Sequence, residues 1–268
     1  MPLVTVSRCG IGGADAGDRV TLNSETLLLS RAFLVTALIY AAVGQAGASG
    51  YIAIMGLVGF GPLAMKTTAL SLNLLVAGIG TALFLRAGGL SWRNVWPFAV
   101  LGFPFSMLGG ALHLPESIYF PVVGLVLILS ALQMGRTAFS GKKSGADTPV
   151  TPPFPAALAT GAIIGFVSGT TGTGGGVFLA PVILTMNWGT ARQTAATTAV
   201  YNLINSFAAL IGAYAAWDHI PSSLPAWLVA VAAGGTIGAY IGSRFLSDRW
   251  LRGILSFLLL MSGIKLIW

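Results

Sequence analysis

The sequence predicts an all-α integral membrane protein, a duplicated inverted-topology repeat. Each half holds a glycine-broken pair of segments, re-entrant or half-helical, plus about three full transmembrane helices. Three observations carry this reading. The 268-residue chain is 55% hydrophobic and only 8% charged, against about 25% charged in a soluble domain. Its long apolar runs are broken twice by dense small-residue stretches. Its basic loops alternate in opposite phase between the two halves.

Residues 1–24 read as a flexible tail: the apolar start is too short for a signal-peptide core, and Arg8, Asp15, Asp18 and Arg19 follow it. The single cysteine, Cys9, lies there, so neither an internal disulfide nor a multi-cysteine metal site is expected. The first membrane repeat covers 25–135. Within it, 27–43 reads as a helix, and Gly44-Gln45-Ala46-Gly47-Ala48-Ser49-Gly50 interrupts the pattern. Residues 51–60 form a short apolar piece ending at Gly61-Pro62. Ten helical residues reach about 15 Å, half the hydrocarbon thickness, so this is a half-helix candidate. Segments 67–85, 95–112 and 117–133 are each long enough to span. A hydrophilic linker, 136–154, carries Lys142 and Lys143 and divides the chain.

The second repeat, 155–268, replays the first. Residues 155–167 lead into a second glycine stretch, 177–188 is again short and apolar, and 193–214, 224–241 and 253–267 are spans. Segments 44–50, 64–71 and 125–133 match 165–172, 191–198 and 257–265 in order. Charge then sets their relation. The loop 86–93 holds Arg86 and Arg93, whereas its counterpart 215–225 holds only Asp218 and His219. Conversely, 113–116 lacks Lys and Arg, and its counterpart 243–252 holds Arg244, Arg249 and Arg252. Basic residues concentrate on the cytoplasmic side, so equivalent loops lie on opposite sides and the linker is cytoplasmic. Each glycine stretch is then the apex of a re-entrant pair, or of one full and one compressed span.

The second glycine stretch, 165–181, contains six Gly and four Ser or Thr and lies in an uncharged run from 148 to 191. Glycine costs about 1 kcal/mol relative to Ala in a helix, so a broken backbone is expected there. At membrane depth such backbone survives only where protein or a cavity satisfies it. No charged residue falls in the middle of any predicted span, which removes the usual relays for protons and cations. An anion can instead be held by N–H groups at helix N-termini and by hydroxyls. The candidate ligands are Ser168, Gly169, Thr171, Gly172, Thr173, Gly174, Gly175 and Gly176. Thr194, Thr198, Asn202 and Asn205 join them from one helical stripe, with Thr197 beside it, and Gly47, Ser49, Gly50, Ser71 and Asn73 answer from the first half. The alternative is that the glycines serve close helix packing and the hydroxyls ordinary interhelical bonds.

Gly165-x-x-Ser168-Gly169-x-x-Gly172-x-Gly174-Gly175-Gly176, the following Pro181 and Ala195-Ala196-Thr197-Thr198 resemble the sulfite exporter TauE/SafE family. The resemblance covers both halves, since that family is a duplicated unit with a weaker first glycine motif. It implies transport of small sulfur-containing anions: sulfite, thiosulfate, sulfonates or related organic acids. The expected setting is a multi-pass protein of the cell membrane, the inner membrane in a bacterium. No cofactor, no metal and no nucleic acid are expected; the partners are the anion, the bilayer and, optionally, further copies of the chain. Two alternatives stand beside it. The same cage with weaker binding would make a passive anion channel. A rhomboid-like serine protease would use Ser168, but its Gly-x-x-Ser-Gly spacing is wrong, and His113 and His219 fall in predicted loops. A non-enzymatic role is therefore expected.

Overall fold

The computed structural model describes residues 24–42, 45–86, 91–139, 149–242 and 248–268, and among these all regular elements are helical. The predicted tail, apart from Ser24, lies outside the described residues, as do Gly44, the linker core 140–148 and the loop 243–247 with Arg244. The helices are α1 (Ser24–Ala42), α2 (Ala48–Val58), α3 (Pro62–Arg86), α4 (Trp92–Ala111) and α5 (Glu116–Phe139). After them come α6 (Phe154–Thr171), α7 (Gly176–Thr185), α8 (Ala191–Gly212), α9 (Leu224–Gly242) and α10 (Asp248–Ile267). A 3-10 turn, Tyr214–His219, joins α8 to α9. Among the described residues, five helices are long and apolar enough to cross a membrane: α1, α3, α5, α6 and α8. The chain is a membrane-embedded helical protein with polar side chains set into a mainly apolar core and many large apolar side chains on its surface. Asn73, Ser106, Ser168 and Asn205 are buried, while Leu28, Val35, Ile163 and Val229 are exposed.

Local chemistry explains the boundaries. α3 opens at Pro62, a residue suited to a first helical turn because it lacks only an N–H that has no helical partner there. This start lies ahead of the predicted 67 and brings Lys66 inside the helix. Thr190 caps α8 by accepting from Gln193 N–H at 3.3 Å, while the Gln193 amide oxygen accepts from Thr190 N–H at 3.0 Å. This reciprocal capping box satisfies two otherwise orphaned donors.

Small residues set the packing. Gly161, Gly165 and Gly169 of α6 lie directly on the backbone of Phe98, Gly102 and Ser106 of α4, with no room for a Cβ. The two numberings rise together, so α4 and α6 run parallel. α9 packs parallel on α1 in the same manner, Gly234 on Leu34 and Gly238 on Leu38. α8 also runs parallel to α4, with Gly110 on Ala209 and the Ser106 hydroxyl donating to Asn205 O at 2.9 Å. α3 and α8 are antiparallel: Asn73 meets Ser206, and Gly80 meets Ala199. α5 and α10 are antiparallel too, with Gly124 by Ile267 and the Ser256 hydroxyl donating to Ala131 O at 2.7 Å.

One expectation needs correction here. Glycine density alone does not break the helix at 165, because α6 continues to Thr171. Its glycines recur every four residues on one face and are filled by α4, so packing recovers their helix-propensity cost.

Candidate functional site

α6 stops where Gly172 turns left-handed at φ 84°, its N–H still reaching Ser168 O at 2.8 Å. Gly174 (φ 79°) and Gly175 (φ 80°) complete the reversal, and α7 opens at Gly176. Only glycine adopts three such conformations so closely spaced without steric strain. Among the described residues, the N–H groups of Thr173, Gly174, Gly175 and Val177 meet no protein acceptor. These free donors sit at the N-terminus of a buried half-helix, an end that carries about half a positive charge.

Two asparagines close around this turn. A Cβ on Gly174 would collide with the side-chain amides of both Asn73 and Asn202. Asn202 Oδ1 accepts from Gly176 N–H at 3.3 Å, and Asn73 Oδ1 accepts from Ala48 N–H at 3.1 Å. Asn73 Nδ2 donates to Ser206 Oγ at 2.7 Å. Counted from Pro62 and Ala191, each asparagine is the twelfth residue of its helix, near half-height. Three hydroxyls line the turn. The Ser168 hydroxyl donates to Gly165 O at 3.1 Å and faces Gly175. Thr171 donates to Val167 O at 2.7 Å, and its oxygen lies 3.0 Å from Thr173 Oγ1. Tyr119 of α5 pins the turn from outside, donating to Thr171 O at 3.0 Å.

The remaining candidates divide. Gly169 faces the α4 backbone, not the turn. Gly47 (φ 95°) opens α2, but Gly50 packs on Thr36 and Tyr40, and Ser49 pairs with Tyr40 OH at 3.0 Å. The Ser71 hydroxyl donates to Thr67 O at 2.8 Å within its own helix. Thr198 likewise donates to Thr194 O at 2.8 Å. Asn205 lies against Gly102 with its side-chain amide unpartnered. Thr194 and Thr197 instead line a cavity of about 490 Å³ at the end where α8 begins.

Sequence reasoning missed Lys66. It is 2% exposed, and its ammonium donates to Gly109 O (3.0 Å), Gly110 O (2.7 Å) and Leu112 O (2.9 Å). A cation suits these carbonyls, which end α4 and carry the negative pole of its dipole. The Lys66 backbone also touches the turn: a Cβ on Gly172 would lie 3.1 Å from Lys66 Cα and 3.3 Å from its Cγ. Lys66 lies in the second turn of α3, so the middle of that span stays uncharged, but the expected span from 67 left out a buried charge that stands beside the glycine turn. The signal was present, since Lys66 is the only charged residue between Arg31 and Arg86 and follows Pro62 by four positions. The protease geometry is not formed: Ser168 is buried and bonded to its own helix, while His113 and His219 are exposed at helix ends.

The body is helical and membrane-embedded, with buried hydroxyls, asparagines and Lys66 set among apolar side chains, which places it among integral membrane proteins. The sulfite exporter TauE/SafE family model matches residues 29–266, and the chain belongs to that family. A probable membrane transporter protein of Sinorhizobium fredii, y4hK, is 66% identical over 247 residues, covering 92% of this chain and all of that relative. No solved structure matches the chain.

Proposed function

We propose that the chain is a secondary transporter of small sulfur-containing anions, such as sulfite, thiosulfate or sulfonates, across a cell membrane it spans several times. The binding site in this reading is the glycine turn 172–176, with the Ser168, Thr171 and Thr173 hydroxyls beside it. The observation that carries the reading is a matched pair of half-helix openings. Ala48 N–H meets Asn73 and Gly176 N–H meets Asn202, with Gly174 between the two amides. Discontinuous helices facing each other at mid-depth are a recurring way to hold a substrate anion.

The same pairing supports a duplicated unit, α1–α5 and α6–α10. Gly47 then corresponds to Gly175 and Asn73 to Asn202, a different register from the sequence match of 44–50 with 165–172. Inversion requires equivalent central helices to run opposite ways, and α3 is antiparallel to α8 as α5 is to α10. The test is uptake of labelled sulfite, thiosulfate and simple sulfonates into proteoliposomes, with and without imposed pH and voltage gradients. Saturable uptake of at least one of them is expected, and Gly175→Asp should abolish it. A Gly175→Asp protein that unfolds at the parent's temperature and transports at the parent's rate would move the site elsewhere.

A further inference from the structure

We propose that the cavity beside Arg93 is a second anion site, separate from the glycine turn, in which a small oxyanion rests before reaching that turn. The resting role depends on the transport reading; the site itself stands on four other observations.

First, three helix N-termini converge on it. α4, α6 and α8 run parallel and begin at the same end, and their opening residues Asn94, Phe154 and Gln193 line the cavity. Neither Ser91 before α4 nor Pro153 before α6 supplies a side-chain cap, so the first N–H groups there keep their donor capacity. Second, Arg93 adds a fixed positive charge, and none of the lining residues is acidic. Third, two lining hydroxyls lack partners. Thr194 Oγ1 is buried with no hydrogen bond, and Thr197, 4% exposed and three residues on, makes none among the described residues. An unpartnered buried hydroxyl costs free energy unless something fills it. Fourth, the Phe98 and Trp188 rings, 6.0 Å apart, form an apolar wall that excludes water from one side and leaves the field less screened.

The size fits. A cavity of about 490 Å³ admits a four-oxygen anion with several waters, each needing about 30 Å³. The cavity is also distinct from the turn. Thr197 precedes Asn202 by five residues, about 7.5 Å of helix rise. Tyr201 stands between, its hydroxyl donating to Gly161 O at 2.8 Å and its ring lying where a Cβ on Gly175 would touch it.

The experiment places one thiol in the cavity, Thr197→Cys in a Cys9→Ser background, with Thr194→Cys as a second reporter should the first fold poorly. Reaction rates are measured with a negatively charged and a positively charged methanethiosulfonate, each normalised to a free thiol. The anionic reagent should be favoured about tenfold, and Arg93→Gln should reduce that preference several-fold. Sulfate should slow the reaction saturably. Equal rates, a cationic preference, or no reaction with either reagent would overturn the site. Repeating the measurement in Gly175→Asp separates the two proposals: the charge preference should survive even where transport is lost. Protection without sulfate in anionic but not zwitterionic vesicles would assign the oxyanion to lipid phosphate and sink the resting role.

Discussion

The two glycine-broken turns have similar entrances but different interiors. In the first, Gly47 opens α2 and aromatic rings fill the space: Tyr51 donates to Ala46 O at 3.1 Å, and Tyr40 covers Ser49 and Gly50. A Cβ on Gly47 would already touch the Tyr51 ring at 3.0 Å. In the second, three left-handed glycines bring Thr173, Gly174 and Gly175 N–H groups to the turn without a protein acceptor among the described residues, and the Ser168, Thr171 and Thr173 hydroxyls line it beside a single ring, Tyr201. On the proposed transport reading, the ring-lined turn is a plugged half-site and the hydroxyl-lined turn an open one. In that reading the plugged half fixes the geometry while the open half takes the anion.

The sharpest way to break this comparison is a charge at the open turn. Asn202→Asp keeps the acceptor for Gly176 N–H and adds a carboxylate at a helix N-terminus, where it suits the dipole. Folding stability should therefore hold or rise. An anion about 5 Å away would meet a repulsion of about 3 kcal/mol at an effective dielectric of 20, on the order of a hundredfold in affinity. Binding of thiosulfate or sulfite by the purified variant decides it. Parental affinity in a folded Asn202→Asp protein would mean the second turn is not the site.

A smaller effect is expected at Lys66, which abuts the second turn through Gly172. Its side-chain length puts the ammonium within about 7 Å of that turn, an attraction of about 2 kcal/mol, roughly thirtyfold in anion affinity. Lys66→Met should lose this, and it should also lower the unfolding temperature by stripping three carbonyls of their donor. Lys66→Arg keeps the charge and should recover part of the affinity. If Met and Arg weaken binding alike, the lysine acts through the α4 carbonyls and not through its field.

These contrasts also show what the sequence could convey. The short pieces α2 and α7, the break between α6 and α7 and the polar stripe on α8 follow from residue type and spacing, and all were legible. The division of labour among the glycines was not. Gly165 and Gly169 serve α4 while Gly174 and Gly175 serve the turn, and a one-letter pattern is the same for both uses. Lys66 is hard to see in the sequence because the uncharged apolar run begins only at Thr67, although Pro62 marks where the helix starts. The aromatic plug was invisible for another reason: Tyr40 and Tyr51 read as ordinary apolar helix positions until the chain reverses between them. The cavity needed three helix ends from distant parts of the sequence.

The backbone itself provides a matched pair of substitutions. Gly47→Ala and Gly175→Ala each force a Cβ into a left-handed residue, at a cost of about 1–2 kcal/mol. Thermal unfolding should therefore fall by similar amounts in both. Anion affinity should fall only in Gly175→Ala, by about tenfold, because its Cβ would lie 3.1 Å from the Ser168 hydroxyl. Equal losses of affinity would make the two half-sites equivalent and remove the plug from the argument.

The smallest expected effects lie in the hydroxyls, and their order is set by what each proton already does. Thr171 gives its proton to Val167 O at 2.7 Å, a bond that closes its own helix. Its oxygen can then only accept from Thr173, 3.0 Å away. Thr173 has no competing carbonyl among the described residues, so its proton is the one that can swing to an arriving anion. Thr173→Val should cost more than Thr171→Val, which should lose only about 0.5–1.5 kcal/mol, a few-fold to tenfold in affinity. Thr173→Ser keeps the donor and should bind like the parent. Titration calorimetry on the three variants reads the order directly. If Thr171→Val proves the costlier change, the Val167 bond must break on binding and the donor roles of the two threonines exchange.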